Sequence, residues 1–216
     1  MQKRLRAVCL LAAVLGLSPG LLFGLWKSKL GMTYHILPNQ QAIVEHPSIV
    51  RAERPCENWM WAAALDSLLQ AKQAATGQEY QILRLYGGDL CAEVKSYAEL
   101  GEKISHEYTM PDGRKFLLQA QYTEGTPSLL GPLIVAMKDQ HPLMLVWKHH
   151  PYVLVGIVYD EYVALNGSRL FKLKELRLID PATGQALSFF PEKDDAASIN
   201  GVMNVTVTPL QLYQMR

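Results

Sequence analysis

The chain has 216 residues, 21 of them Lys or Arg and 20 Asp or Glu, giving a formal net charge of +1 and a sequence pI near 7.7. That balance, with no basic stripe, excludes the electrostatic footprint of a nucleic-acid binder. A hydrophobic fraction of 49% excludes an intrinsically disordered chain.

The N-terminus stands apart from the rest. Lys3, Arg4 and Arg6 precede an uncharged run over residues 7–26, and Lys27 and Lys29 follow it. A basic start and an apolar centre are the marks of an export signal, and the run is long enough to cross a bilayer. Ser18-Pro19-Gly20 interrupts it and no Ala-x-Ala follows, so a removed signal and a retained anchor both fit. Cys9 reads as an apolar filler. The expected organisation is a leader over 1–30 and one domain over 31–216, with contact to a membrane only through the N-terminal segment.

Residues 27–50, with Pro38 and Pro47, read as an extended lead-in. Trp61, Ala64, Leu65, Leu68 and Leu69 recur at i, i+3, i+4, i+7 and i+8, which predicts a helix over about 58–75, closed by Gly77. A short segment over 80–85 and a second helix over 92–104 follow. Pro111-Asp112-Gly113 is a hairpin signal between runs over 108–110 and 115–122. Residues 126–140 read as a short helix. The apolar runs over 142–147, 152–159, 162–164, 176–179 and 204–208 read as strands, with Asp160-Glu161 as a turn. Helices first and strands later predict an α+β domain.

Three segments carry chemistry, in chain order. They are Pro55-Cys56-Glu57-Asn58-Trp59-Met60-Trp61-Ala62-Ala63, then His149-His150-Pro151 leading an apolar run to Gly156, then Leu178-Ile179-Asp180-Pro181. A thiol hydrolase needs a nucleophile at a helix N-terminus, where the dipole favours thiolate. It needs a histidine as base, and a third side chain holding the ring. The layout resembles the papain-like cysteine peptidase superfamily, in particular bacterial double-glycine-leader peptidases and effector-type papain-like proteases. The likeness extends over about residues 50–182. It implies a helical first half packed on an antiparallel β-sheet or half-barrel. It also implies His150, not His149, as the base, Asp180 as its partner, and Trp59, Trp61 and His149 lining a groove.

The chain departs from that pattern at the nucleophile. Met60 stands where the superfamily has cysteine, and a thioether has no proton to lose. The glutamine of the oxyanion hole is missing as well. Glu53 and Arg54 stand in that region. Cys56 has three readings: a displaced nucleophile about one helical turn before Met60; as the resemblance implies, a structural cysteine paired with Cys91; or, like Cys91, an unpaired thiol. Two thiols in an oxidising compartment tend to pair.

The plainer readings are a polar strand start for His150, a turn opener for Asp180-Pro181 and core residues for Trp59 and Trp61. Asn166-Gly167-Ser168 and Asn204-Val205-Thr206 match a glycosylation triplet that is frequent by chance. No zinc spacing and no phosphate-cradling loop occurs, so no cofactor is expected. Three functions compete. The first is an exported papain-like domain that binds a peptide or protein without turnover. The second is an active thiol hydrolase on Cys56, His150 and Asp180, and the third is a structural envelope protein.

Overall fold

A computed structural model of the chain describes residues 25–27, 33–110, 112–127 and 130–210. The leader expected over 1–30 therefore lies almost wholly outside the described residues. In chain order the elements are β1 (Leu25–Lys27), β2 (Thr33–Ile43), α1 (Glu57–Gln70), α2 (Gln78–Tyr86), α3 (Tyr97–Ile104), β3 (Glu107–Thr109), β4 (Lys115–Glu124), α4 (Leu130–Lys138), β5 (Leu143–Trp147), β6 (His150–Ala164), β7 (Arg169–Ile179), β8 (Ala186–Phe189) and β9 (Ile199–Leu210). The α+β expectation holds. The chain divides into two compact units. The smaller holds residues up to Gln40 together with Tyr159–Lys172, and the larger holds the rest.

In the larger unit β6, β5, β9, β4 and β3 follow one another across an antiparallel sheet. β4 and β9 pair from Lys115↔Leu210 to Glu124↔Gly201. Residues Leu143–Val146 of β5 are buried without a break, as expected where both faces of a strand are covered. α1 packs against β5 and α2, and α3 against β4.

α1 is the centre of this unit. Every residue from Trp61 to Leu69 is buried, so this stretch of the helix has no solvated face. Its two polar interior residues are satisfied locally. The Ser67 hydroxyl donates to the Ala63 carbonyl at 2.8 Å and accepts from the Val50 amide at 2.9 Å. Asp66 accepts from the Thr76 and Gly77 amides at 3.2 and 3.1 Å. Burial, offset in part by those two amides, leaves the Asp66 carboxyl above its usual value.

The helix ends at Gln70, earlier than expected, because Gln73 turns the chain at a φ of 55°. Gly77, expected to close α1, instead stands at the N-terminus of α2 with a φ of 85°, and its carbonyl accepts the Gln81 amide. α3 starts at Tyr97 because the Ser96 hydroxyl accepts the Glu99 amide at 3.2 Å, an N-cap that the sequence reading passed over.

The smaller unit contains β1, which pairs antiparallel with β2 (Trp26↔Tyr34), and the hairpin tip where β6 turns into β7. The expected turn at Asp160-Glu161 is continuous strand. Asp160 accepts the Asn39 amide at 3.0 Å, and buried Glu161 pairs with Arg169 at 2.9 Å. Both acids have partners across the ladder, so neither needs solvent. The Tyr34 and Tyr162 rings stand edge to face with centroids 6.4 Å apart, and the Tyr159 and Phe171 rings likewise with centroids 5.5 Å apart.

Candidate functional site

β5 and β6 are joined by two residues, Lys148 and His149, both at positive φ (51° and 63°), with Trp147 facing His150 across the ladder. Positive φ at both central positions is the type I′ turn that fits the twist of paired strands. Neither residue is glycine, so the turn needs outside support. The Lys148 amide donates to the Ser198 carbonyl at 2.9 Å, the His149 amide to Asn200 Oδ1 at 2.7 Å, and Trp147 Nε1 to Ser198 Oγ at 2.7 Å. The turn leaves His149 exposed and starts β6 at His150.

His150 Nε2 lies 3.1 Å from Asp180 Oδ1, with the two side chains 27% and 18% exposed. That contact occupies Nε2 and leaves Nδ1 as the nitrogen available to another group. The Tyr152 ring, two residues along the same strand face, lies 4.5 Å from the His150 ring. Burial and then the Asp180 charge push its phenol above the usual value.

Asp180 is fixed by its own turn. The Ala182 amide donates to Oδ1 at 2.8 Å and the Thr183 hydroxyl to Oδ2 at 3.0 Å. Burial pushes its carboxyl up, but these two donors and the His150 ring outweigh that and hold it below the usual carboxylate range. Gly184 closes the turn at a φ of 72°, and Arg51 Nε stands 2.6 Å from where a side-chain carbon would be. Any other residue there meets both backbone strain and the guanidinium.

The same turn is tied to the segment that leads into α1. The Ala52 amide donates to the Pro181 carbonyl at 2.8 Å, and Gln78 Nε2 donates to the Arg51 carbonyl at 2.7 Å. The chain then reaches Cys56, whose carbonyl accepts the Trp59 and Met60 amides at 3.0 and 3.4 Å and starts the helix. No side chain caps this helix end. The structure thus ties the entry to α1 to the turn that carries the His150–Asp180 pair.

Cys56 is bonded to Cys91, with Cα atoms 5.6 Å apart. In that state its sulfur has no thiolate to offer. Met60 lies in the first turn of α1 and is half-buried, while its neighbours Trp59 and Trp61 are 1% and 0% exposed. The groove role expected for the two tryptophans gives way to a core role, because both side chains are almost wholly buried. Trp61 Nε1 donates to Asn58 Oδ1 at 2.9 Å, and the Arg54 guanidinium lies over the Trp59 ring at 5.0 Å. His149, also expected in the groove, is the exposed second residue of the turn.

No family model matches the chain, and no curated protein matches it. Among solved structures it is similar to the crystal structure of the peptidase domain of Streptococcus ComA, a bi-functional ABC transporter involved in a quorum-sensing pathway. The identity is 12% and the TM-score 0.42, over 76% of this chain and 100% of that one.

Sequence reasoning missed Ser198 and Asn200, which hold the turn before His150, and Thr183, which holds Asp180. The second was within reach, since Asp-Pro-Ala-Thr-Gly is a turn signature in which Asp and Thr bond locally. The first was not, because Ser198 and Asn200 are about 50 residues away in sequence. Among the described residues no group of His, Cys, Asp or Glu is arranged to hold a metal ion.

Proposed function

We propose that the larger unit is a papain-like, cysteine-peptidase-related domain. It has kept the base and lost the nucleophile, and it acts by binding an extended peptide or protein segment beside His150. The observation that carries this reading is the His150 Nε2–Asp180 Oδ1 contact at 3.1 Å. Its support is the bond between the Asp180 turn and the entry to α1. A paired imidazole with one nitrogen still available suits a base facing a thiol. At position 60 the chain offers a thioether instead, which forms no acyl-enzyme. Without that covalent step, a bound segment is held and released unchanged.

Thiol reactivity tests the reading. In a Cys9→Ser background, Met60→Cys is expected to gain an iodoacetamide-reactive thiol near neutral pH, because the helix end and an imidazolium both favour thiolate. Adding His150→Ala is expected to slow alkylation about tenfold, the effect of roughly one unit on the thiol pKa. A new thiol that is inert with or without His150 overturns the assignment of position 60.

A second reading, a thiol hydrolase acting through Cys56, is favoured by one observation. Cys56 is half-buried, not enclosed, at the uncapped N-terminus of α1. In that case peptide turnover appears on reduction, survives Cys91→Ala and disappears in Cys56→Ala.

A further inference from the structure

The smaller unit exposes apolar side chains at one end. The β6–β7 hairpin closes through Leu165-Asn166-Gly167-Ser168, with the Ala164 amide bonded to the Ser168 carbonyl at 2.8 Å and the Gly167 amide to the Ala164 carbonyl at 2.9 Å. Residues 165–170 are exposed in an unbroken row. Leu165 is 90% and Leu170 56% exposed, against polar or glycine neighbours that would ordinarily make up such a tip.

The tip is also held firmly. Arg169 pairs with buried Glu161, and Phe171 meets the Tyr159 ring edge-on. The two leucines are thus displayed on a braced support, and basic Arg169, 63% exposed, stands beside Leu170 on β7. Paired strands and exposed leucines beside a basic residue suit the boundary between lipid headgroups and acyl chains.

The chain outside the described residues indicates which surface lies there. The uncharged run of residues 7–26 ends in β1, where Trp26 pairs with Tyr34 of β2, and the Tyr34 ring touches Tyr162, three residues before Leu165. The end of the apolar run, in β1, and the leucine tip, where β6 turns into β7, therefore belong to one small unit, with β2 between them.

We infer that the β6–β7 tip is a second, shallow membrane contact, in which Leu165 and Leu170 enter the interface of the bilayer that receives residues 7–26. The inference does not rest on the groove reading above. The full-length chain, Cys9→Ser and Leu165→Cys, is labelled at position 165 with an environment-sensitive fluorophore. It is then mixed with vesicles of phosphatidylcholine and phosphatidylglycerol. Flotation first reports whether the chain associates with the vesicles. The probe is expected to shift to the blue, to lose about half or more of its emission to nitroxide-labelled lipid at interfacial depth, and to resist aqueous iodide. A chain that floats while the probe is quenched by iodide and spared by nitroxide lipid overturns the inference. So does a full-length chain that fails to float.

Discussion

Asp180 and Asp66 are both partly withdrawn from water, yet their environments push them in opposite directions. Three donors around Asp180 outweigh burial, and its pKa falls below the unfolded value of 3.8. Two amides around Asp66 do not outweigh burial, and its pKa rises. A group with a depressed folded pKa gives stability that is present above the unfolded pKa and lost as pH falls through the folded one. A group with a raised pKa does the reverse, and its contribution falls away as pH rises through the folded value. The urea midpoint of the wild type is therefore expected to drop relative to Asp180→Asn as pH is lowered from about 5 towards 2. Over the same range it is expected to gain relative to Asp66→Asn. Parallel curves for the three proteins would contradict the assignment of either shift. The Asp180 pairing was legible in the sequence because a histidine opening one strand and an Asp-Pro ending another follow each other in the right order. The exposure of His149 was legible only in part, since the two positive φ values that put it in a turn have no glycine to announce them.

At the scale of elements, the Cys56–Cys91 bond joins the start of α1 to the loop after α2, closing a ring over a separation of 35 residues. In the chain-entropy account a ring of that size stabilises the fold by about 4 kcal/mol. Replacing both cysteines by serine is expected to lower the unfolding free energy by about that amount, and adding reductant to the wild type should give the same denaturation curve. Unchanged midpoints would mean that the loop from Gly87 to Ser96 is held by other contacts. The sequence left the roles of Cys56 open because a helix-start cysteine reads equally as nucleophile or as bridge until its partner is known. Strand β2 was hidden because Pro38 and alternating polar residues weaken its pattern, although Pro is tolerated in strands at ladder edges. The full length of β6 was hidden by Asp160 and Glu161, whose partners, Asn39 and Arg169, come from other strands. α1 was found by its spacing. Its enclosure was not, since a stretch of helix covered on all sides carries no polar stripe to show which way it faces.

For the whole molecule, the stability of the backbone should grade from α1 outward. Amides in residues 61–69 are buried with their side chains in the larger unit, whereas residues 165–170 of the smaller unit are exposed throughout. Local opening needs little free energy where few apolar contacts are lost. Among the described residues, hydrogen exchange of the free chain is thus expected to be slowest across 61–69 and in β5, and much faster at the exposed turn 165–168, which lies beyond the bracing contacts of Arg169 and Phe171. Exchange in α1 as fast as at the hairpin tip would show that the enclosed helix is not the most stable part.

The single disulfide also bears on how the chain is made. The sequence has three cysteines, Cys9, Cys56 and Cys91, so a full-length chain has three ways to close one ring and only one of them is native. A chain that has shed residues 1–30 has one. Before shedding, Cys9 is a competitor that an isomerase must clear. Afterwards an oxidant alone suffices, and any scrambled product must join two molecules. Mixed-disulfide dimers are therefore expected to mark crowded oxidation of the trimmed chain, and internal mispairing to mark the untrimmed one.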